Sequence, residues 1–118
     1  MARIQIEEIP KWLLTVMNNL YEIERKLVMH GDPGNAARNV ERIREAIAVK
    51  GLFYEDPLGQ PFKETRIDLE ASISGTTTEN LVVAEVIKPI IRCGPPELSR
   101  VVQKGIVVVE GRKEEKSE

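Results

Sequence analysis

The sequence predicts an α+β fold in which an N-terminal helical hairpin precedes a small, mostly antiparallel β lobe. Two patterns predict it: apolar residues recur every three or four positions before residue 52, and from there on they alternate with polar residues or form short β-branched runs. Between the patterns, the segment 54–62 holds two prolines and a glycine within five residues, which neither continue a helix nor fit a central strand. We therefore expect a helical domain at 1–51, a β domain at 52–110 and a charged tail at 111–118.

The first predicted helix runs from Pro10 to His30. Proline suits the first helical turn, because its missing N–H would have no intrahelical partner there. Residues 31–34, Gly-Asp-Pro-Gly, favour a chain reversal after the helix. Apolar residues three or four apart place one apolar side along this helix, formed by Trp12, Val16, Leu20, Ile23 and Leu27.

A second helix is predicted to begin near Asn35 and to stop at Gly51, because glycine suits the left-handed position after a helix end. Its apolar residues Val40, Ile43 and Ile47 have the same spacing as those of the first helix. The two helices together form the predicted hairpin.

The first helix carries more apolar surface than one neighbouring helix covers. Leu13, Leu14 and Met17 widen its apolar side beyond the roughly 100° of an ordinary stripe. Two hairpins that pack into a four-helix bundle would bury both flanks, so we predict a homodimer. The alternative is that the second flank packs on the chain's own β lobe. The predicted dimer interface consists of Trp12, Leu13, Val16, Met17, Leu20, Ile23, Leu27, Val40, Ile43 and Ile47.

Six short strands are predicted in the β lobe. Residues 67–73 alternate between apolar and polar side chains, which predicts a strand with one buried and one solvent-exposed face. The runs 81–87 and 106–109 are rich in β-branched residues, as buried strands tend to be. Shorter strands are expected at 52–54, around 90–91 and at 101–102.

Nearly balanced charge argues against nucleic acid as a partner. The 17 basic and 19 acidic residues give a net charge of −2, which lacks the positive field that binds phosphate backbones. No apolar run reaches the roughly 18 residues of a membrane span, and residues 1–8 are too acidic for a signal peptide. We therefore expect a cytoplasmic protein that does not bind membranes. The one cysteine, Cys93, excludes an intrachain disulfide and agrees with a reducing compartment.

The residue types that perform catalysis are scarce in this chain. His30, its one histidine, lies at the end of a predicted helix, where a cation is favoured by the carbonyl ends. Cys93, just before Gly94-Pro95-Pro96, could be an exposed thiol in a loop, but with no second cysteine in the chain and no histidine near it in sequence it forms no redox or nucleophilic arrangement, and we treat it as incidental. Asp68 and Glu70 share the predicted solvated side of a strand. We therefore expect a binding protein and not an enzyme, with no cofactor and no metal site.

Four segments of the chain occur in the order typical of one family. Residues 16–20, Val-Met-Asn-Asn-Leu, and residues 40–51 are similar to its two bundle helices. Residues 56–62, Asp-Pro-Leu-Gly-Gln-Pro-Phe, resemble its joint between bundle and β wing, which is the most specific of the four matches. Glu70-Ala71, followed by 83–87, 100–102 and 106–109, resemble its wing strands. From about residue 12 to residue 110 the chain thus resembles the GrpE nucleotide exchange factors of DnaK-type chaperones.

The resemblance implies a dimeric co-chaperone that performs no chemistry of its own. Such a protein binds the ATPase domain of a DnaK-type chaperone with its β wing, holds the nucleotide cleft open and so promotes ADP release. By position, the resemblance implies that the chaperone is contacted by Arg100, Ile87 and Glu64. Arg25 lies nearly one turn after the position at which the family carries a bundle-helix arginine, which is Glu22 here.

The chain also differs from the family in ways that favour an alternative function. Only about ten residues precede the bundle motif, too few for two heptads, so the family's long coiled-coil stalk is predicted to be absent. Residues 90–91 and 103–105 replace wing motifs, and the loop 92–99 is longer and carries two prolines. The alternative is a dimeric structural or adaptor protein that keeps the fold and binds another protein through this loop. A small enzyme is a more distant third possibility.

Overall fold

The computed structural model describes residues 9–112; residues 1–8 and the last six residues of the predicted tail lie outside this range. The fold is α+β, with two helices and two three-stranded sheets, which confirms the predicted fold class. The helices are α1 (Lys11–His30) and α2 (Ala37–Ala48), and the strands are β1 (Leu52–Glu55), β2 (Leu69–Ser74), β3 (Leu81–Lys88), β4 (Ile90–Cys93), β5 (Arg100–Gln103) and β6 (Gly105–Gly111).

Two compact units divide the described chain. The helical unit contains residues 9–55 and 91–102, and the sheet unit contains residues 56–90 and 103–112. The first boundary falls between Glu55 and Asp56, inside the segment that separates the two hydrophobic patterns of the sequence. Strand β1 and most of β4 and β5 belong to the helical unit, whereas the sequence pattern predicts one lobe for all strands.

Helix α1 has the predicted bounds. It follows Pro10, whose extended backbone precedes the first turn. It ends at Gly31, whose N–H donates a hydrogen bond to the Leu27 carbonyl at 2.9 Å. Along the helix, one side is buried within the protomer and consists of Leu13, Met17, Leu20 and Tyr21.

Helix α2 begins two residues later than the sequence predicts. Asn35 has a left-handed backbone with φ of 55°, which is incompatible with the first helical turn. The carboxylate of Asp32 accepts hydrogen bonds from the backbone N–H groups of Ala36 at 2.6 Å and Ala37 at 2.9 Å. These bonds satisfy two of the N–H groups that a helix start leaves without an intrahelical partner. The helix ends at Ala48, three residues before the predicted stop at Gly51, although Gly51 has the predicted positive φ, 87°.

The core of the helical unit lies between the helices and the sheet β1-β4-β5. Tyr21 and Tyr54 pack edge to face, with ring centroids 6.0 Å apart. The Arg44 guanidinium lies over the Tyr54 ring at 4.7 Å and pairs with Glu24 at 3.4 Å. The buried residues of this unit are Leu13, Met17, Leu20, Tyr21, Val40, Leu52, Tyr54, Ile91 and Cys93.

The environment of Cys93 differs from what the sequence suggests. The possibility of an exposed loop thiol is excluded, because Cys93 ends the central strand β4 and is buried. The loop that follows begins at Gly94, whose N–H donates to the Gly51 carbonyl at 2.7 Å.

The sheet unit has the strand order β2-β6-β3. Strand β6 lies in the middle, parallel to β2 and antiparallel to β3. The predicted antiparallel pairing therefore holds for one of the two pairs in this sheet. Strand β6 extends through Gly111, one residue into the predicted tail, and Arg112 N–H donates to the Asn80 carbonyl at 2.9 Å.

Strand β2 also departs from its prediction. Its alternation predicts one buried face, but only Leu69 is buried, while Ile73 is 48% exposed. Ile67 precedes the strand and is also exposed. Strand β2 lies at the edge of the sheet, so within residues 9–112 its side chains have a neighbouring strand on one side only.

Candidate protein-binding surfaces

Exposed apolar side chains lie along α1, directly beside the side that carries its buried residues. Trp12 is 66% exposed, Val16 37% and Ile23 43%, and we call these three residues the α1 flank. At about 100° per residue they fall within about 40° of the helix circumference. The described part of the chain therefore leaves three apolar side chains on one side of this helix accessible.

The ten residues of the predicted dimer interface divide into three groups. Leu13, Met17, Leu20 and Val40 are buried within the protomer, and Leu27 and Ile47 are half-buried. The α1 flank and Ile43 of α2, which is 45% exposed, remain accessible. Leu13 and Met17, two of the residues that widen the apolar side of α1 in the sequence, are thus covered within the protomer itself.

Two of the four predicted partner-binding residues lie in the helical unit. Arg100 is the first residue of β5 and is exposed, and its side chain makes no ion pair within the described residues. Arg25 is half-buried on α1, and its guanidinium lies 5.9 Å from the centre of the Tyr21 ring. Arg100 is thus the more accessible cation of the two.

The other two predicted partner-binding residues lie in the sheet unit. Ile87 is 54% exposed near the end of β3, at an irregularity in the pairing with β6 between Val86 and Lys88. Glu64 is exposed in the connection that precedes β2. Both side chains are accessible, and Ile87 is one of few large apolar residues exposed in this unit.

The joint segment 56–62 has a defined structure along the outer edge of β3. Asp56 accepts a hydrogen bond from the Leu58 N–H at 3.0 Å, and Gly59 has a positive φ of 80°. The Val83 carbonyl accepts from Gly59 N–H, and Val83 N–H donates to the Gln60 carbonyl, each at 2.9 Å. The two prolines and the glycine of the sequence motif therefore form a tight turn that then runs beside a strand.

Arg66 anchors the end of the joint. Its guanidinium contacts both carboxylate oxygens of Asp68 at 3.0 Å and also donates to Gln60 at 3.0 Å. Asp68 is consequently part-buried and paired, whereas Glu70 is exposed on β2. The interpretation of Asp68 and Glu70 as one solvated strand face thus holds for Glu70 alone.

The loop after β4 forms an apolar surface whose shape the sequence did not predict. Pro96–Leu98 is a short 3-10 helix, and Leu98 is exposed at its end. Arg92 holds the start of the loop by pairing with Glu55 at 3.5 Å. A shallow cavity of about 240 Å³ is lined by Ala48, Gly51, Phe53, Gly94, Pro95 and Pro96.

A second, smaller cavity lies in the helical unit. It measures about 100 Å³ and has Met17, Leu20, Arg44 and Tyr54 in its lining. The Tyr54 hydroxyl is buried and has no hydrogen-bond partner within the described residues. The sequence could not predict that this hydroxyl is buried, because the residues around it come from three separate elements, α1, α2 and β1.

The described residues hold no cluster of metal-binding type and no membrane-spanning helix. Within 9–112, no three His, Cys, Asp or Glu side chains converge in a way that could hold a metal ion. His30 is exposed as the last residue of α1. Neither described helix combines the length and the apolar character needed to cross a bilayer.

The accessible features of the molecule are thus the α1 flank, the isolated Arg100, the exposed Ile87 and the proline-lined cavity. All four suit contacts with another protein, since they combine apolar side chains with an arginine that makes no ion pair within residues 9–112. Comparisons of this chain with family models, with curated proteins and with solved structures find no match.

Proposed function

We propose that this protein is a GrpE-like co-chaperone, which binds the ATPase domain of a DnaK-type chaperone and promotes ADP release. The proposal rests on the order of the sequence motifs and above all on the joint segment 56–62. In the fold, this segment is an ordered turn that leads from β1 to the edge of β3. A joint of this kind is what a protein needs if it presents a β wing from a helical base.

The co-chaperone acts as a homodimer in this proposal. The α1 flank supports it, because exposed tryptophan, valine and isoleucine on one helix strip are stabilised by burial against a second apolar surface. A second copy supplies an identical strip about a two-fold axis, and two hairpins then form a four-helix bundle.

The chaperone contact is assigned to Arg100 first. Its guanidinium is exposed and makes no ion pair within the described residues, so it can pair with a carboxylate of a partner without breaking an existing bond. Ile87 supplies an exposed apolar contact, and Glu64 and Arg25 are the remaining members of the proposed surface.

The mechanism requires only differential binding. A protein that prefers the open form of a nucleotide cleft shifts the chaperone toward that form, by no more than the difference between its two affinities. A preference of about 1.4 kcal/mol raises the ratio of open to closed chaperone about tenfold. ADP then leaves faster, and no side chain of the co-chaperone takes part in chemistry.

The test is the release of a fluorescent ADP analogue from a DnaK-type chaperone of the source organism, with this protein in excess. We expect faster release, and we expect Arg100→Ala to weaken chaperone binding about tenfold, as truncation of an interface arginine often does. Arg112→Ala is the matched control, because it removes the same charge from an exposed position whose backbone bond to Asn80 is retained. Unchanged release in the presence of the folded protein would contradict the proposal.

The proline-lined cavity favours a second candidate function. Its apolar walls and the exposed Leu98 beside it suit an adaptor that binds a different protein through the loop 92–99. An adaptor partner would bind Arg100→Ala normally and lose affinity for Leu98→Ala. An exchange factor gives the reverse result, so the pair of variants separates the two functions.

A further inference from the structure

Strand β2 has a backbone edge that no other described segment pairs with. One hydrogen bond shows which of its residues direct their backbone groups to that edge. Gly105 N–H donates to the Asp68 carbonyl at 2.9 Å, so Asp68 directs its backbone groups at β6. Along an extended strand, the backbone groups of alternate residues point to opposite edges. In the continuous register from Leu69 to Ser74, Ser72 and Ser74 therefore face β6, whereas Ala71 and Ile73 direct their N–H and C=O groups outward.

No backbone group within residues 9–112 pairs with this outward edge. At the opposite edge of the same sheet, formed by β3, the outward backbone groups do have partners. Strand β3 has two irregularities in its register, and Gly59, Gln60 and Phe62 bond to its outer side. Bulges and covering segments are the devices that protect sheet edges from further pairing, as lysine and proline do. Strand β2, with the sequence Leu-Glu-Ala-Ser-Ile-Ser, has no lysine, proline or bulge and no covering segment within residues 9–112, and Glu70 is its one charged residue.

The side chains along the edge indicate what kind of strand it fits. Ala71 and the 48% exposed Ile73 lie on the same sheet face as the buried Val107 and Val109, and they extend this apolar face to the edge. A strand added beside β2 would place alternate side chains on this apolar face.

The other face of the sheet combines the half-buried Val82, Ile106 and Val108 with charged side chains, most of which are acidic. Glu70 lies on it at the edge, and the register places Glu110 and Glu85 on the same face, with Lys88 as a cation there. Residues added opposite Glu70 are therefore favoured when they are basic.

We propose that β2 is a docking edge for an extended peptide segment of a partner protein, in which apolar residues alternate with lysine or arginine. The segment adds a fourth strand to the sheet and accepts and donates backbone hydrogen bonds at Ala71 and Ile73. Its apolar side chains pack beside Ile73, and its basic side chains lie near Glu70. This mode of recognition combines main-chain bonds with alternate side-chain contacts. It is independent of the proposed exchange function.

Hydrogen exchange of the complete protein gives the first test. In the free protein, the amides of Ala71 and Ile73 should exchange fast, and those of Ser72 and Ser74 slowly. The probe is an eight-residue peptide of alternating lysine and valine with an N-terminal fluorophore. On adding it, the amides of Ala71 and Ile73 should become protected. A peptide with methylated alternate amides should not bind, because it cannot complete the strand.

Fluorescence anisotropy with variants gives the second test. Ala71→Pro removes an outward N–H without removing a bond to β6, and proline is tolerated at such edge positions. We expect it to weaken binding of the lysine-valine peptide about tenfold, whereas the matched control Ala71→Val should bind as the unmodified protein does. Glu70→Lys should also weaken it, and a peptide of alternating aspartate and valine should bind less well.

Three results would overturn the proposal. The first is equal binding of the peptide and its methylated form, a comparison that needs no variant to fold. The second is binding without protection of Ala71 and Ile73. The third is protection of these amides without peptide, in an oligomer that Ala71→Pro dissociates, because a second copy would then be the occupant of the edge.

Discussion

Trp12→Ala should dissociate the proposed dimer without unfolding the protomer. Trp12 belongs to the α1 flank and is 66% exposed, so it contributes little to the core of its own chain. In a four-helix bundle the same side chain would be buried against the partner. The variant therefore separates association from folding, which substitutions of the buried Met17 or Leu20 would not do.

The magnitude follows from the exposed area. An aromatic side chain that can bury roughly 150–250 Å² and is 66% exposed has about 100–165 Å² left to bury on association. At about 25 cal/mol per Å², this area corresponds to about 2.5–4 kcal/mol per protomer as an upper estimate. Both protomers lose the contact, so the dissociation constant should rise at least a hundredfold, which is about 2.7 kcal/mol.

Sedimentation at micromolar concentration measures the effect. The unmodified protein should sediment as a dimer and Trp12→Ala as a monomer with unchanged circular dichroism. Val28→Ala is the matched control, because Val28 is 86% exposed on the same helix but lies about 160° around it from Trp12. A monomeric unmodified protein, or equal effects of the two variants, would refute the reasoning.

Three further predictions concern stability and reactivity. Asp32→Ala should lower the free energy of unfolding in urea by about 1–2 kcal/mol, because it removes the acceptor for the Ala36 and Ala37 amides, and Asp32→Asn should cost less. Gly105→Ala should destabilise by about 1–3 kcal/mol in the same measurement, because the added Cβ would lie 2.8 Å from a Leu69 methyl; an unchanged midpoint would mean that the site relaxes freely. The buried Cys93 should react with a thiol reagent much more slowly in the native protein than in urea, and fast native labelling would place it at the surface.

The helices were predictable because their causes are local. Apolar spacing and Pro10 act within a few residues, and they place α1 to within one residue; α2 ends at Ala48, three residues before the predicted stop at Gly51. The start of α2 differs from the predicted one because the helix is capped by Asp32, which is not adjacent to it in sequence. The six strands were found from their β-branched and alternating residues, but their partners were not.

The candidate surfaces were predictable only in part. Apolar excess on α1 indicated that a flank needs a partner, and the exposed Trp12 and Ile23 agree with that excess. The cavity beside Pro95 and the unpartnered Tyr54 hydroxyl have no signal in the sequence, because each depends on residues that the fold brings together from separate elements.

The sequence by itself determined the α+β class, the position of both helices and the turn at 56–62, since these depend on propensities and on spacing along the chain. Only the tertiary structure decided that β6 lies between β2 and β3, that Cys93 is buried and that Ile73 is exposed. Alternation of apolar and polar residues predicts that a strand has two different faces. It does not predict whether another element covers the apolar face. That depends on strand order, which is set by contacts between residues far apart in the chain.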